Sequence, residues 1–168
     1  MHTRYHRIVL LIIILLFAIF ASAGISPAFS EDAVKKVNKA AMQKMYTEYL
    51  KSEGYPVELD DDGDVLFKFE GNTYFIQIDS EDTDFFRIVL PNFWPLKDDN
   101  ERLKVLEAVN HANAESKTSK VFIVRDNVWA SIELFVKDPE DFKSIFKRSM
   151  SALQYGVYNF VMKMKEKK

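Results

Sequence analysis

The sequence predicts an α+β domain built on one antiparallel sheet, with its elements in the order α-ββββ-α-ββ-α. Two observations carry this. Apolar and polar residues alternate through 57–90 and again through 120–136, the period of strands with one buried face. In three other stretches the apolar residues return every three or four positions, the period of a helix lying on a core.

The first helix is expected from about Glu31 to Glu53. Ser30 suits its N-cap, and Glu31 and Asp32 suit the positive end of its dipole. Val34, Val37, Ala41, Met45 and Tyr49 form an apolar stripe; Gly54 fits the C-terminal glycine position, and Pro56 prevents continuation. Four short runs follow: Val57 to Asp60, Val65 to Glu70, Tyr74 to Asp79 and Phe85 to Leu90. They are separated by Asp61-Asp62-Gly63, by Gly71-Asn72 and by the polar loop Ser80 to Asp84, so they read as an antiparallel meander. Pro91 and Pro95 each lack a backbone donor, and the sheet is expected to break there.

A second helix, about Asp98 to Glu115, places Leu103, Leu106 and Val109 on one face, together with Asn110 and Asn113. Lys120 to Arg125 and Val128 to Val136 then form a hairpin around Asp126-Asn127. The last helix opens with Asp138 as N-cap and Pro139 at its first position, and carries the stripe Phe142, Ile145, Phe146, Ser149, Leu153, Val157, Phe160 and Met164. Sequential strands usually pair, so the simplest architecture is one sheet with the helices chiefly on one face.

The chain has 168 residues, enough for one domain, and 14 of them are Phe, so large rings must fill much of the core. His2, Arg4, His6 and Arg7 precede an unbroken apolar run, Ile8 to Ala21, which ends in Ala21-Ser22-Ala23. That order is a secretory signal peptide over 1–23, with cleavage after Ala23, a short linker over 24–30 and one domain over 31–168. The alternative is an uncleaved anchor in the inner membrane, because the apolar count reaches eighteen when carried on through Ile25. Either way the domain is expected to be exported, to the periplasm if cleaved. Without residues 1–23 the chain carries 21 basic against 25 acidic residues and shows no basic cluster beyond its last lysines, so nucleic acid is not the expected partner. With no Cys, disulfides and thiolate metal sites are excluded.

Leu50-Lys51-Ser52-Glu53-Gly54-Tyr55 ahead of the meander, Val109-Asn110-His111-Ala112-Asn113-Ala114 in the second helix, and the closing helix from Pro139 resemble the YbjN family over roughly Met45 to Phe160. The resemblance implies a fold like that of type III secretion chaperones and a noncatalytic, chaperone-like or regulatory binding role. It carries over no catalytic residues. The export signal is a departure, since secretion chaperones of this shape work in the cytoplasm.

The chemistry-bearing residues fit that reading. Glu58, Asp60, Asp62, Gly63 and Asp64 imitate the start of a calcium loop, but Phe69 stands where the closing bidentate Glu is needed; turn chemistry explains them better. His111 is the only histidine beyond residues 1–23 and is expected on the surface. There is no Gly-x-Ser-x-Gly turn, so no serine triad is expected, and neither is any metal or cofactor. Asn110 and Asn113 are expected to satisfy strand-edge or loop backbone groups rather than a ligand. The alternation itself is the more informative feature. If Val65, Phe67, Phe69, Tyr74, Ile76, Ile78, Val128, Ala130, Ile132 and Leu134 face the helices, then Leu66, Phe75, Phe122, Val124, Trp129 and Phe135 face the other way. An outer face that apolar is either covered by the first helix or the Phe93-Trp94 loop, or is an interface for a protein partner or a homodimer. The two expected functions are therefore a noncatalytic binding protein of the bacterial cell envelope and, as the alternative, a small envelope hydrolase using carboxylates. Intact-mass measurement of the exported protein is expected to show a chain that begins at Gly24; retention of Arg4 and Arg7 in a membrane fraction would indicate the anchor instead.

Overall fold

The computed structural model describes residues 39–166. The expected signal segment, the linker and the first eight residues of the expected first helix lie outside the described residues, as do Lys167 and Lys168. The elements are α1 (Lys39–Ser52), β1 (Val57–Leu59), β2 (Val65–Phe69), β3 (Asn72–Ile76), β4 (Phe85–Pro95), α2 (Asp99–Glu115), β5 (Ser119–Val124), β6 (Asn127–Phe135), a 3-10 turn (Pro139–Asp141) and α3 (Phe142–Lys165). This is the α+β order expected, in one six-stranded sheet with strand order β1-β2-β3-β4-β6-β5. Every neighbouring pair is antiparallel. The long connection through α2 carries the chain past the place of β6 to the sheet edge, and the β5–β6 hairpin then folds back so that β6 lies against β4.

Each boundary has a local cause. Gly54, at φ +87°, ends α1, and the Tyr55 amide returns to the Leu50 carbonyl at 3.0 Å. Asp98 caps α2 by accepting from the Glu101 amide at 2.9 Å. Asp138 accepts from the Glu140 amide at 2.9 Å while Asp141 accepts from the Asp138 amide at 3.2 Å, so α3 starts where Asp138-Pro139 announced it. The hairpin turns fall one residue earlier than the sequence implied, with Glu70 at φ +48° and Arg125 at φ +55°.

Three expectations need correction. The sheet does not break at Pro91. β4 continues to Pro95 through a bulge between Leu90 and Trp94, which takes up the donor that Pro91 lacks; Asn92 adopts φ +51° inside it. In α1 the buried stripe is Met42, Tyr46 and Leu50, while Met45 and Tyr49 lie half-buried at its flank and Ala41 is exposed. In α2 the buried residues are Val105, Ala108 and Ala112, and Leu103 and Leu106 face solvent. The stripe expected for α3 holds, with Phe142, Phe146, Ser149, Leu153, Phe160 and Met164 all buried.

The core lies between the helices and the inner sheet face, where Val65, Phe67, Tyr74, Ile76, Val128, Ala130 and Ile132 are buried as the alternation predicts. Phe142 packs edge-on against Tyr46 at 4.6 Å and Tyr49 at 4.9 Å, and Phe146 lies 5.8 Å from Phe67. Phe93 and Trp94, sent inward by the bulge, close on Phe160 at 5.3 and 5.6 Å. Gly156 in α3 sits where a Cβ would collide with the Ser119 hydroxyl and come within 3.1 Å of the Ser119 Cβ, so this crossing of α3 and β5 needs a residue without a side chain. On the free edge of β5, the Asn113 side chain donates to the Val121 carbonyl at 2.9 Å and accepts from the Val121 amide at 2.8 Å, the structural role expected of it. Replacing Asn113 with Ala is expected to cost about 1–2 kcal/mol, because two backbone groups lose their partner. Denaturant unfolding measures the loss, and hydrogen exchange should quicken at Val121 while Ile88 on β4 stays protected.

Candidate functional site

Cross-strand partners share a sheet face, so the registers define the outer surface. One row runs across all six strands: Glu58, Leu66, Phe75, Val89, Ser131 and Lys120. Val89 is fully buried yet stands apart from the main core cluster, and none of the six expected interface residues belongs to that cluster either. The first of the two alternatives, covering by the first helix or the Phe93-Trp94 loop, is not found among the described residues. Met42, Tyr46 and Leu50 of α1, and Phe93 and Trp94, pack into the inner core instead.

The structure brings Phe75, Phe122, Val124 and Trp129 together. The Trp129 ring stands 6.2 Å from Phe75, edge to face, and 6.5 Å from Phe122. Its indole nitrogen donates to Asn92 Oδ1 at 2.9 Å, so the bulge in β4 fixes the ring. Trp129 and Val124 line a hollow of about 340 Å³ with Asn92, Arg125 and Asn127. Leu66 joins the group through its pairing with Phe75 and lines a smaller hollow with Pro56, Glu58, Lys68 and Thr73. Phe135 stands apart. It is 80% exposed and lies 5.7 Å from Phe85 with the rings tilted, beyond a polar row that only the strand pairing assembles.

That row is built on Glu133. Arg87 donates to Gln77 Oε1 at 2.7 Å and lies 3.2 Å from the Glu133 carboxylate. Ser131 donates to the same carboxylate at 2.9 Å, and Lys120 pairs with it. Burial pushes the Glu133 carboxyl up, but the hydrogen bonds from Lys120 and Ser131 and the charges of Arg87 and Lys120 outweigh it, so the group is held below its ordinary range.

The remaining candidates are structural. Asp60 and Asp64 organise the β1–β2 turn: the Asp64 amide donates to Asp60 Oδ1 at 2.8 Å, and Asp64 Oδ1 accepts from the Ile78 amide at 2.8 Å. Burial raises the Asp64 carboxyl, and Gln43 of α1 donates to the Gly63 carbonyl at 2.7 Å. No group of acids and histidines suited to a metal ion occurs among the described residues. His111 is half-buried on the flank of α2.

Fold and face together define a small sheet-and-helix domain whose described helices lie on one side of the sheet, with a cluster of apolar rings on the other. The family model for YbjN, described as "Putative bacterial sensory transduction regulator", matches residues 44–133. The chain belongs to the YbjN family. Among solved structures, the crystal structure of YbjN from E. coli, there called "a putative transcription regulator", is similar with a TM-score of 0.53 and 16% sequence identity. The likeness covers 68% of this chain and 87% of that one, and it shows the shared fold. Comparison with curated proteins gives no match.

The polar row makes stability depend on pH with a definite sign. A carboxyl held lower in the folded state stabilises the fold above its ordinary value of 4.5 and loses that contribution as pH falls through its folded value. Glu133→Gln is therefore expected to cost ~1–2 kcal/mol at pH 7 and to flatten the decline in stability below about pH 4. Urea unfolding of both proteins between pH 3 and 7 measures it.

Proposed function

We propose that the chain is an exported, noncatalytic binding protein of the bacterial cell envelope, acting in a chaperone-like or regulatory way on a protein partner. The observation that carries this reading is the outer sheet face around Trp129, where Leu66, Phe75, Phe122 and Val124 gather with no packed helix over them among the described residues. One-sided antiparallel sheets are ordinarily polar outside, and clustered apolar side chains there serve contacts with other molecules. Membership of a family described as a sensory transduction regulator supports a binding rather than a metabolic role. The basic, apolar and Ala-x-Ala pattern of residues 2–23 supports export.

The structure narrows the test to the assembled cluster and leaves Phe135 as an internal comparison. Phe122→Thr with Trp129→Ser is expected to weaken partner capture in the native envelope, read by crosslinking and mass spectrometry, and to leave far-UV circular dichroism unchanged. Each large ring removed takes away desolvation worth on the order of 2 kcal/mol. Phe135→Thr alone is expected to do less, because it lies beyond the Arg87–Glu133 row. Undiminished capture by the folded double variant would rule the face out. Sedimentation velocity on the same proteins tells a second copy of the chain from a different partner.

A further inference from the structure

The opposite side of the sheet carries a second candidate site, independent of the outer face. Where the β5–β6 ladder ends at Ser119 and Ile132, a groove of about 310 Å³ opens between β6 and α3. That volume lies at the small end of the range for small-molecule sites, roughly 300–1,000 Å³. Ile132 and Leu134 of β6, with Ile145 and Ala152 of α3, give it apolar walls. Lys117 and Arg148, both exposed, stand at its rim, and neither has a carboxylate partner among the described residues.

Ser149 completes the lining. It is 2% exposed and its hydroxyl is enclosed, so it meets the groove as part of the wall. Two cations without carboxylate partners beside a hydrocarbon wall are the arrangement that would receive an acceptor-rich anionic head on an apolar tail. On a domain with net negative charge, the rim cations give this corner the sign such a head requires.

We propose that this groove binds a medium-chain alkyl oxyanion, its carboxylate or phosphate head on Arg148 and Lys117 and its chain against Ile132, Leu134 and Ala152. Calorimetric titration of the full chain with decanoate, decyl phosphate, decylammonium and inorganic phosphate, each below its micelle concentration, tests it. Saturable one-to-one binding of decanoate or decyl phosphate is expected, and whichever binds tighter names the head group. Decylammonium and free phosphate should bind at least about tenfold more weakly, since one has the wrong charge and the other no tail. Arg148→Gln, a surface change, is expected to weaken binding about tenfold, with circular dichroism unchanged. Ala152→Phe, which fills the groove, should abolish it. No saturable binding to the wild-type chain, equal binding of decylammonium or free phosphate, or wild-type affinity in folded Arg148→Gln would overturn the proposal. The Phe122/Trp129 variant should bind these probes normally, so loss of the outer-face function leaves this result unaffected.

Discussion

Two rings one turn apart on α3, Phe142 and Phe146, hold the helices to the sheet. Phe142 meets Tyr46 and Tyr49 of α1 and Phe86 of β4, while Phe146 meets Tyr49, Tyr55 and Phe67. Offset and edge-on ring pairs contribute roughly 0.5–1.5 kcal/mol each beyond the area they bury. The two rings therefore bind α1, α3 and the meander as one interlocked unit. Because α1 and α3 are drawn to one side, the outer rings have no helix of the described fold to pack on. They settle instead around Trp129, whose orientation comes from Asn92 in the bulge of β4.

That bulge links the two faces. Pro91 to Trp94 lets one strand send Asn92 outward to Trp129 and Phe93 and Trp94 inward to Phe160. A regular strand at this point would put alternate residues on alternate faces and could not place Phe93 and Trp94 on the same ring. The bulge thus lets the sheet continue past the prolines that read in the sequence as its end.

What could be read from the sequence follows from how local each cause is. Alternation along β2, β3 and β6 identified both faces, and Asp138-Pro139 located the start of α3, because each signal sits within a few residues. The phase of α1 was ambiguous: Ala41, Met42, Met45, Tyr46, Tyr49 and Leu50 make two adjoining apolar stripes, and either satisfies the helical period. In α2 the large Leu103 and Leu106 pointed away from the true core side, which small Ala108 and Ala112 occupy. The six outer residues were legible as a set, but not their division. Only the adjacency of β4 and β6 places Arg87 beside Glu133 and cuts Phe135 off from Trp129, and that adjacency depends on a strand far away in the chain.

The bond between Asn113 and Val121 has a consequence for behaviour in a crowded compartment. A sheet's free edge is a template on which a second chain can lay down a strand and begin a cross-β stack. Here β1, at three residues, is too short to seed one, and on β5 the Asn113 amide already occupies both hydrogen-bonding groups of Val121. Strand addition, the route to irreversible fibre growth, is thus obstructed at both rims of the sheet.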